Sequence, residues 1–216
     1  VEKTLKRIFG QGIFYTGWLN AIFSIALAVA VYFVSQIYAL LNHGPAVLNL
    51  HTALDSAIPV VPIFVIPYNS LQPYIYATLV LFLLFRTKYF QSACLAMITV
   101  WFISYGFYYF LQSEVVRPVL TATDTFSKMV MAVYAGDNAF NDFPSLHTSL
   151  STILAIHWMK VNKTLGIILS VWTALIVAAT LFIKQHYIAD MLFGLVLAFG
   201  FSYLYLKVVV RKPATN

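Results

Sequence analysis

Two short stretches of the chain carry side chains that can act on a phosphoryl group. KQHYIAD at 184–190 sets His186 and Asp190 four residues apart, which puts both on one face of a helix within contact range. A carboxylate that accepts a hydrogen bond from one imidazole nitrogen fixes the tautomer and leaves the other nitrogen's lone pair free to attack. It also stabilises the imidazolium that attack creates. FPSLHTS at 143–149 opens an apolar run with a proline, two serines and a histidine. In the first turn of the helix this run predicts, unpaired amides and the positive end of the helix dipole around His147 favour a phosphate. Ser145 adds a hydroxyl donor, and a histidine opposite His186 can protonate a leaving oxygen. Arg117 and Lys184 can hold the equatorial oxygens of a phosphoryl group in transfer. Two other readings stay open from the residues alone. One is a hydrogen-bonded structural network; the other is a divalent cation on the two histidines and the aspartate, with a further ligand from Asp124, Asp137 or Asp142.

Apolar stretches must position these groups. Of the 216 residues 61% are hydrophobic and only 9% charged, with mean hydropathy +0.83, whereas soluble domains carry about a quarter charged residues. The chain therefore reads as an integral membrane protein. A hydrocarbon core about 30 Å thick takes about 20 mostly apolar residues per helix. Spans are expected at about 16–41, 62–85, 90–112, 146–160, 164–183 and 187–210. Together they predict an all-α bundle of six transmembrane helices forming one domain over 1–216. The run from Trp18 to Leu41 is longer than the apolar region of a signal peptide and reads as a retained first span. Residues 42–62 combine turn formers with a short apolar patch, which suggests a loop with an interfacial segment. Pro59, Pro62, Pro67 and Pro73 make the entry to the second span irregular.

The cations divide by loop. Lys3, Lys6 and Arg7 precede the first span; Arg86 and Lys88 join the second and third; Lys160 and Lys163 join the fourth and fifth; Lys207, Arg211 and Lys212 close the sixth. If each span crosses once, all of these share one side, which their excess marks as cytoplasmic, with both termini inside. Arg117, Lys128 and Lys184 remain for the outer face, where both histidine stretches also fall. An anionic substrate accounts for Arg117 and Lys184, and Lys128 reads as solvated. A net charge of +6 scattered between apolar runs forms no basic face and speaks against nucleic acid. The single cysteine, Cys94, excludes an intramolecular disulfide framework and a thiol cluster for metal. His43, His51 and His157 read as structural, and the aromatic residues as interface belts and packing.

Taken in order, Arg117-Pro118, Pro144-Ser145-Leu146-His147 and His186 with Asp190 resemble the three motifs of the type-2 phosphatidic acid phosphatase superfamily, written K-x6-R-P, P-S-G-H and S-R-x5-H-x3-D. The resemblance implies a six-helix fold and attack by His186 through a phosphohistidine intermediate, without metal or other cofactor, with Asp190 as its partner and His147 as acid. Phe110 stands where the first motif has lysine, Leu146 where the second has glycine, and Ala179-Thr180 where the third has serine and arginine. Two phosphate-binding cations are thus missing, and Lys184 is the candidate substitute for one. His186-Tyr187-Ile188-Ala189-Asp190 is also similar to the sphingolipid-synthase branch, including inositol phosphorylceramide synthases, which pass the phosphoryl-linked group to an alcohol. LDSAIPVVPIFVIPYNS, 54–70, resembles bacterial members of that branch. The expectation is a phosphatase acting on a lipid phosphomonoester or polyprenyl diphosphate at the outer face of a bacterial cytoplasmic membrane, its partners being that lipid and the surrounding bilayer. Lipid phosphotransfer is the alternative within this chemistry, and lipid binding or transport without bond cleavage is the alternative outside it.

The loop counts predict that a cysteine placed at Asn138 in a Cys94→Ala background reacts with an impermeant maleimide in intact cells. Reaction only after the cells are broken would reverse the topology.

Overall fold

The computed structural model describes residues 11–121 and 124–210. Among them the regular elements are helical, and the extended pairings are two isolated bridges, Leu48 with Ser113 and Glu114 with Phe140. After a 3₁₀ turn at Ile13–Tyr15 come α1 (Trp18–Leu41), the short α2 (Ala53–Ala57), a 3₁₀ turn at Pro62–Phe64, α3 (Val65–Asn69) and α4 (Leu71–Phe85). Then follow α5 (Thr87–Phe110), α6 (Thr125–Gly136), α7 (Leu146–Val161), α8 (Lys163–Phe182) and α9 (Ile188–Tyr205), the last extended by a π-helical turn at Leu206–Val210.

Four helical stretches are long and apolar enough to cross a bilayer: Trp18–Leu41, Thr87–Phe110, Lys163–Phe182 and Ile188–Val210. The other two expected spans are helical but of a different kind. Residues 62–85 are divided among the 3₁₀ turn, α3 and α4. A continuous helix would bury Pro73 in its interior, where it lacks the N–H owed to the carbonyl of Asn69 and its ring clashes. Restarting at Leu71 puts Pro73 in a first turn, where no such bond is needed. The Ser70 hydroxyl donates to the carbonyl of Pro67 at 2.7 Å and accepts the indole N–H of Trp172 at 2.9 Å, which fastens the break to α8.

At 16 residues, α7 is about 24 Å long, shorter than the hydrocarbon core. It is walled by α4, α5, α8 and α9, and eleven of its residues are buried. That setting explains how a run rich in serine and threonine is tolerated. Ser149 donates to the carbonyls of Ser145 (2.8 Å) and Gly194 (3.1 Å), and Ser151 to that of His147 (2.6 Å), so these hydroxyls are buried with partners. His157, fully buried, lies 2.7 Å by Nδ1 from the carbonyl of Ile153 and 2.9 Å by Nε2 from Ser92 Oγ. A carbonyl only accepts, so Nδ1 carries the proton and Nε2 takes the serine's; this is the structural role expected of it.

The core lies where α1, α4, α5, α7, α8 and α9 meet, around Phe82, Met97, Ile153, Leu154 and Ile176. The outward faces stay apolar, with Phe33, Ile168 and Val196 exposed, as a lipid environment requires. Lys88 donates to Asn20 at 3.1 Å and so holds the α4–α5 join against the start of α1. Lys3, Lys6, Arg7, Arg211 and Lys212, part of the cation count, lie outside the described residues.

The α7–α8 hairpin packs closely at Gly166. A Cβ on Gly166 would stand 2.5 Å from the Cα of Met159, whereas one on Gly106 or Gly200 would meet nothing within 4 Å. Gly166→Ala is expected to destabilise by about 1–3 kcal/mol through forced repacking. Gly106→Ala should gain up to about 1 kcal/mol of helix propensity. Thermal unfolding in detergent micelles checks the opposite signs.

Candidate active site

The chemistry-bearing residues come together where the 111–124, 137–145 and 183–187 connections converge. His186 sits in the last of these, between α8 and α9. Lys184 adopts a left-handed conformation there, φ 52°, at a cost of about 1–2 kcal/mol for a residue with a Cβ. That bend lets the N–H groups of Gln185 and His186 both reach the carbonyl of Thr180, at 2.8 and 3.1 Å.

His186 Nδ1 lies 3.0 Å from Asp142 Oδ1 and 3.6 Å from Asp190 Oδ2. The three residues are 8%, 1% and 0% exposed. Asp190 approaches from four residues on, but not as two positions on one helix face: His186 precedes Tyr187, the N-cap of α9, and only Asp190 lies in the helix. Asp142, weighed only as a metal ligand, arrives because the 137–145 connection folds back, and no local spacing announces it. Asn141, also left-handed at φ 57°, exchanges bonds with Gln112, taking Nε2–H at 2.9 Å and giving its own N–H to Oε1 at 2.9 Å. The N–H of Phe143 donates to Ser113 Oγ at 2.8 Å. Together these bonds hold Asp142 from both sides.

Burial works against charge on the His186 ring, but the carboxylates of Asp142 and Asp190 outweigh it and hold the imidazole above its ordinary range. Burial pushes Asp142 above the usual carboxylate range, with Asp190 acting in the same direction and His186 against it.

His147 lies in the first turn of α7, its ring centroid 6.0 Å from that of His186. Both rings line the same cavity. Tyr68 stacks on His147 at 4.2 Å and 17° and fixes the plane of the ring. The sequence reading missed Tyr68; its signal was the proline-broken stretch that puts a short helix beside the site. Ser145 is the N-cap of α7, its hydroxyl oxygen accepting the N–H of Thr148 at 3.3 Å. Its own N–H donates to the carbonyl of Asp190 at 3.2 Å.

Arg117 bridges the end of α6 and the start of the 137–145 connection to the histidine turn. Its guanidinium donates to the carbonyls of Asp137 (2.6 Å), Asn138 (3.0 Å) and Tyr134 (3.3 Å) and to Gln185 Oε1 (2.8 Å), and lies over the Tyr134 ring. A guanidinium only donates, so the Gln185 oxygen must face it. The buried Nε of Arg117 and Nε2 of Gln185 have no partner. Lys184 is employed elsewhere, donating to the carbonyls of Asp55 (2.8 Å) and Ile58 (2.6 Å). Asp55 in turn accepts the N–H of Ile188 at 2.8 Å. The 42–61 segment is thereby clamped onto the start of α9, and the structure does not bring the Lys184 ammonium among the groups lining the cavity.

A cavity of about 460 Å³ ends on His147 and His186, with Asp137 and Asn141 beside them. Its walls come from α1, α4 and α5, among them Val31, Leu79 and Trp101. Between α1 and α4 its lining residues Tyr32, Tyr76 and Val80 are exposed on the face that lipid would cover.

Of the aspartates weighed as cation ligands, Asp124 caps α6 through the N–H groups of Phe126 and Ser127. Asp137 accepts from Tyr38 and Asn42. The ligand atoms of Asp142, His186 and Asp190 do lie within 4.8 Å of one another; an imidazole between two carboxylates accounts for that spacing.

A family model described as the PAP2 superfamily matches residues 92–214. The match begins within α5 and takes in Arg117, Asp142, His147, His186 and Asp190, while α1 and α4 lie before it. Comparison with curated proteins and with solved structures gives no match.

Lys184→Ala removes two charge-assisted bonds to backbone carbonyls. Losing about 1 kcal/mol of local stability would raise cleavage within 42–61 about fivefold in native-state proteolysis. An unchanged cleavage rate would remove the clamp.

Proposed function

Since the chain belongs to the PAP2 superfamily, we propose that this membrane phosphatase-type protein hydrolyses a lipid phosphomonoester or a polyprenyl diphosphate at the outer face of the membrane, through a phosphohistidine on His186. The observation that carries this reading is the cavity, which runs from an exposed apolar mouth between α1 and α4 to the paired histidines. A lipid can leave its chain in the apolar part while its phosphoryl group meets the rings.

With Nδ1 turned to the carboxylates, Nε2 is the attacking atom. Its lone pair forms the N–P bond, the P–O bond to the lipid breaks, and the departing oxygen takes its electron pair and a proton from His147. Water then attacks phosphorus and gives a proton back to His147, the P–N bond breaks, its electron pair returns to Nε2, and phosphate leaves. Donors for the equatorial oxygens are the first amides of α7, with Arg117 Nε and Gln185 Nε2 buried and unpartnered next to the histidine turn, although neither side chain lines the cavity. In the same reading the α3–α4 stretch and α7 also cross, giving six passes with both termini cytoplasmic. The alternation of Arg86, Lys88, Lys160 and Lys163 at one set of helix ends with Arg117 and Lys184 at the other supports it.

One observation favours a second reading, transfer to an alcohol. Phe110 and Thr180 replace two motif cations, and Lys184 is bound to carbonyls. Little positive charge is left for a doubly charged monoester, which suits a singly charged phosphodiester donor better.

Incubating purified protein with a panel of lipid phosphates, with and without alcohol acceptors, and identifying all products by mass spectrometry separates the two. Phosphate release is expected, and none from His186→Ala; no turnover of any lipid would leave a binding protein. His147→Ala should slow the first chemical step on a monoester at least about tenfold more than on a prenyl diphosphate. An alkoxide needs a proton to leave and a phosphate does not, and acid assistance contributes about 10²–10⁴-fold where it is needed. Equal losses in single-turnover bursts would take the acid role from His147.

A further inference from the structure

We propose that Asp142 is the residue that orients the His186 imidazole, and that Asp190 chiefly closes the first turn of α9; this rests on the reading of His186 as the nucleophile. The carboxylate four residues along the helix is the partner that the sequence spacing suggests. Three observations turn the assignment toward the loop. Asp142 is nearer, 3.0 Å against 3.6 Å. The oxygen of Asp190 that approaches the ring is already committed, since Oδ2 accepts the N–H of Tyr187 at 2.6 Å, a first-turn bond that satisfies an otherwise orphaned amide. Asp142 has no such commitment. Both of its oxygens are buried and accept no backbone or side-chain hydrogen bond, so the ion-pair approach of Oδ1 to His186 Nδ1 at 3.0 Å is what it has, and a carboxylate at 1% exposure stays charged only beside a cation.

The scaffold is built for this contact. Asn141 takes a left-handed backbone conformation next to Asp142 and is gripped by Gln112 and by the carbonyl of Tyr38, to which its amide donates at 2.9 Å. Tyr108 donates to the carbonyl of Pro144 at 2.8 Å. One rigid loop thus carries Asp142 to one side of the site and His147 to the other, so partner and acid are set together. The titratable groups around His186 are Asp142 and Asp137 from the outer loop, Asp190 and Tyr187 at the start of α9, His147 from α7 and Tyr108 from α5. Among them Asp142 alone is a carboxylate within hydrogen-bond distance of Nδ1. With Nδ1–H held toward it, Nε2 keeps its lone pair for phosphorus, and the charge that attack places on the ring develops between two anions.

The test reads orientation without turnover. In the full chain labelled with ¹⁵N-histidine and purified in micelles, wild-type His186 should carry its proton on Nδ1 whenever the ring is neutral. A wild-type ring protonated on Nε2 overturns the proposal and needs no variant. In Asp142→Asn the amide can donate to Nδ1 as well as accept from it, so mixed tautomers are expected, with the ring titrating at least about one pH unit lower. Asp190→Asn should leave the tautomer in place while lowering the midpoint of thermal unfolding. The reverse pattern, with Asp190→Asn releasing the tautomer and Asp142→Asn leaving it, assigns the role to Asp190. If Asp142→Asn does not fold, Asp142→Glu keeps the charge but moves it by a methylene, and an unaltered His186 spectrum there likewise overturns the proposal. On any lipid phosphate that the protein cleaves, Asp142→Asn should slow the burst about 10²-fold or more and move the acid limb of kcat/KM to lower pH. A spectrum that responds in a protein without turnover leaves the positioning role standing and removes the hydrolytic reading alone.

Discussion

An imidazole held between two buried carboxylates is the interaction on which the active end of this protein depends. Gathering His186, Asp142 and Asp190 in a site from which water is largely excluded costs several kcal/mol of desolvation per ion before any attraction offsets it. Such a cluster persists only if its geometry is imposed from outside. The imposition is visible on every side: the Thr180 carbonyl collects two amides of the histidine turn, Gln112 and Asn141 exchange bonds beneath Asp142, and the Ser145 N–H ties the start of α7 to the first turn of α9. Close approach of the two helices is itself a requirement, since a Cβ on Gly194 would stand 2.8 Å from the carbonyl of Ser145.

The chain divides its labour. The part that matches the PAP2 superfamily supplies Arg117, Asp142 and both histidines, while α1 and α4, ahead of the match, supply the exposed mouth and much of the apolar wall of the cavity. The candidate site and the apolar mouth of the cavity are thus built from different stretches. The 42–61 segment links them, because Lys184 and Ile188 on one side and Asp55 and Ile58 on the other hold it onto the histidine turn. A cation that composition alone assigns to an anionic substrate is a tether for the 42–61 segment.

Much of this was legible in the sequence where cause and effect are local. Apolar run length predicted helices at all six stretches, because each residue in hydrocarbon must satisfy its backbone within its own helix. The four-residue spacing of His186 and Asp190, the serine cap before His147 and the first-turn position of that histidine depend on bonds spanning no more than four residues. Six equivalent spans, in contrast, are not what the helices present. Pro73 divides one stretch, and α7 is shorter than the core and sheathed by its neighbours.

Only the tertiary structure decided the contacts made across long separations. Asp142 meets His186 across 44 positions, Tyr68 stacks on His147 across 79, and Lys184 reaches Asp55 across 129. No periodicity encodes such pairs. They follow from how α4, α7 and α9 pack and from the two left-handed residues, Asn141 and Lys184, that aim the loops. The sequence by itself determined the membrane helices and a histidine–carboxylate pair suited to phosphoryl transfer, because apolar run length and a separation of four residues are both short-range features of the chain. Which carboxylate lies nearest the imidazole, and which cation is left for a phosphate, depended on helix packing, because those distances are set by whole elements meeting in space.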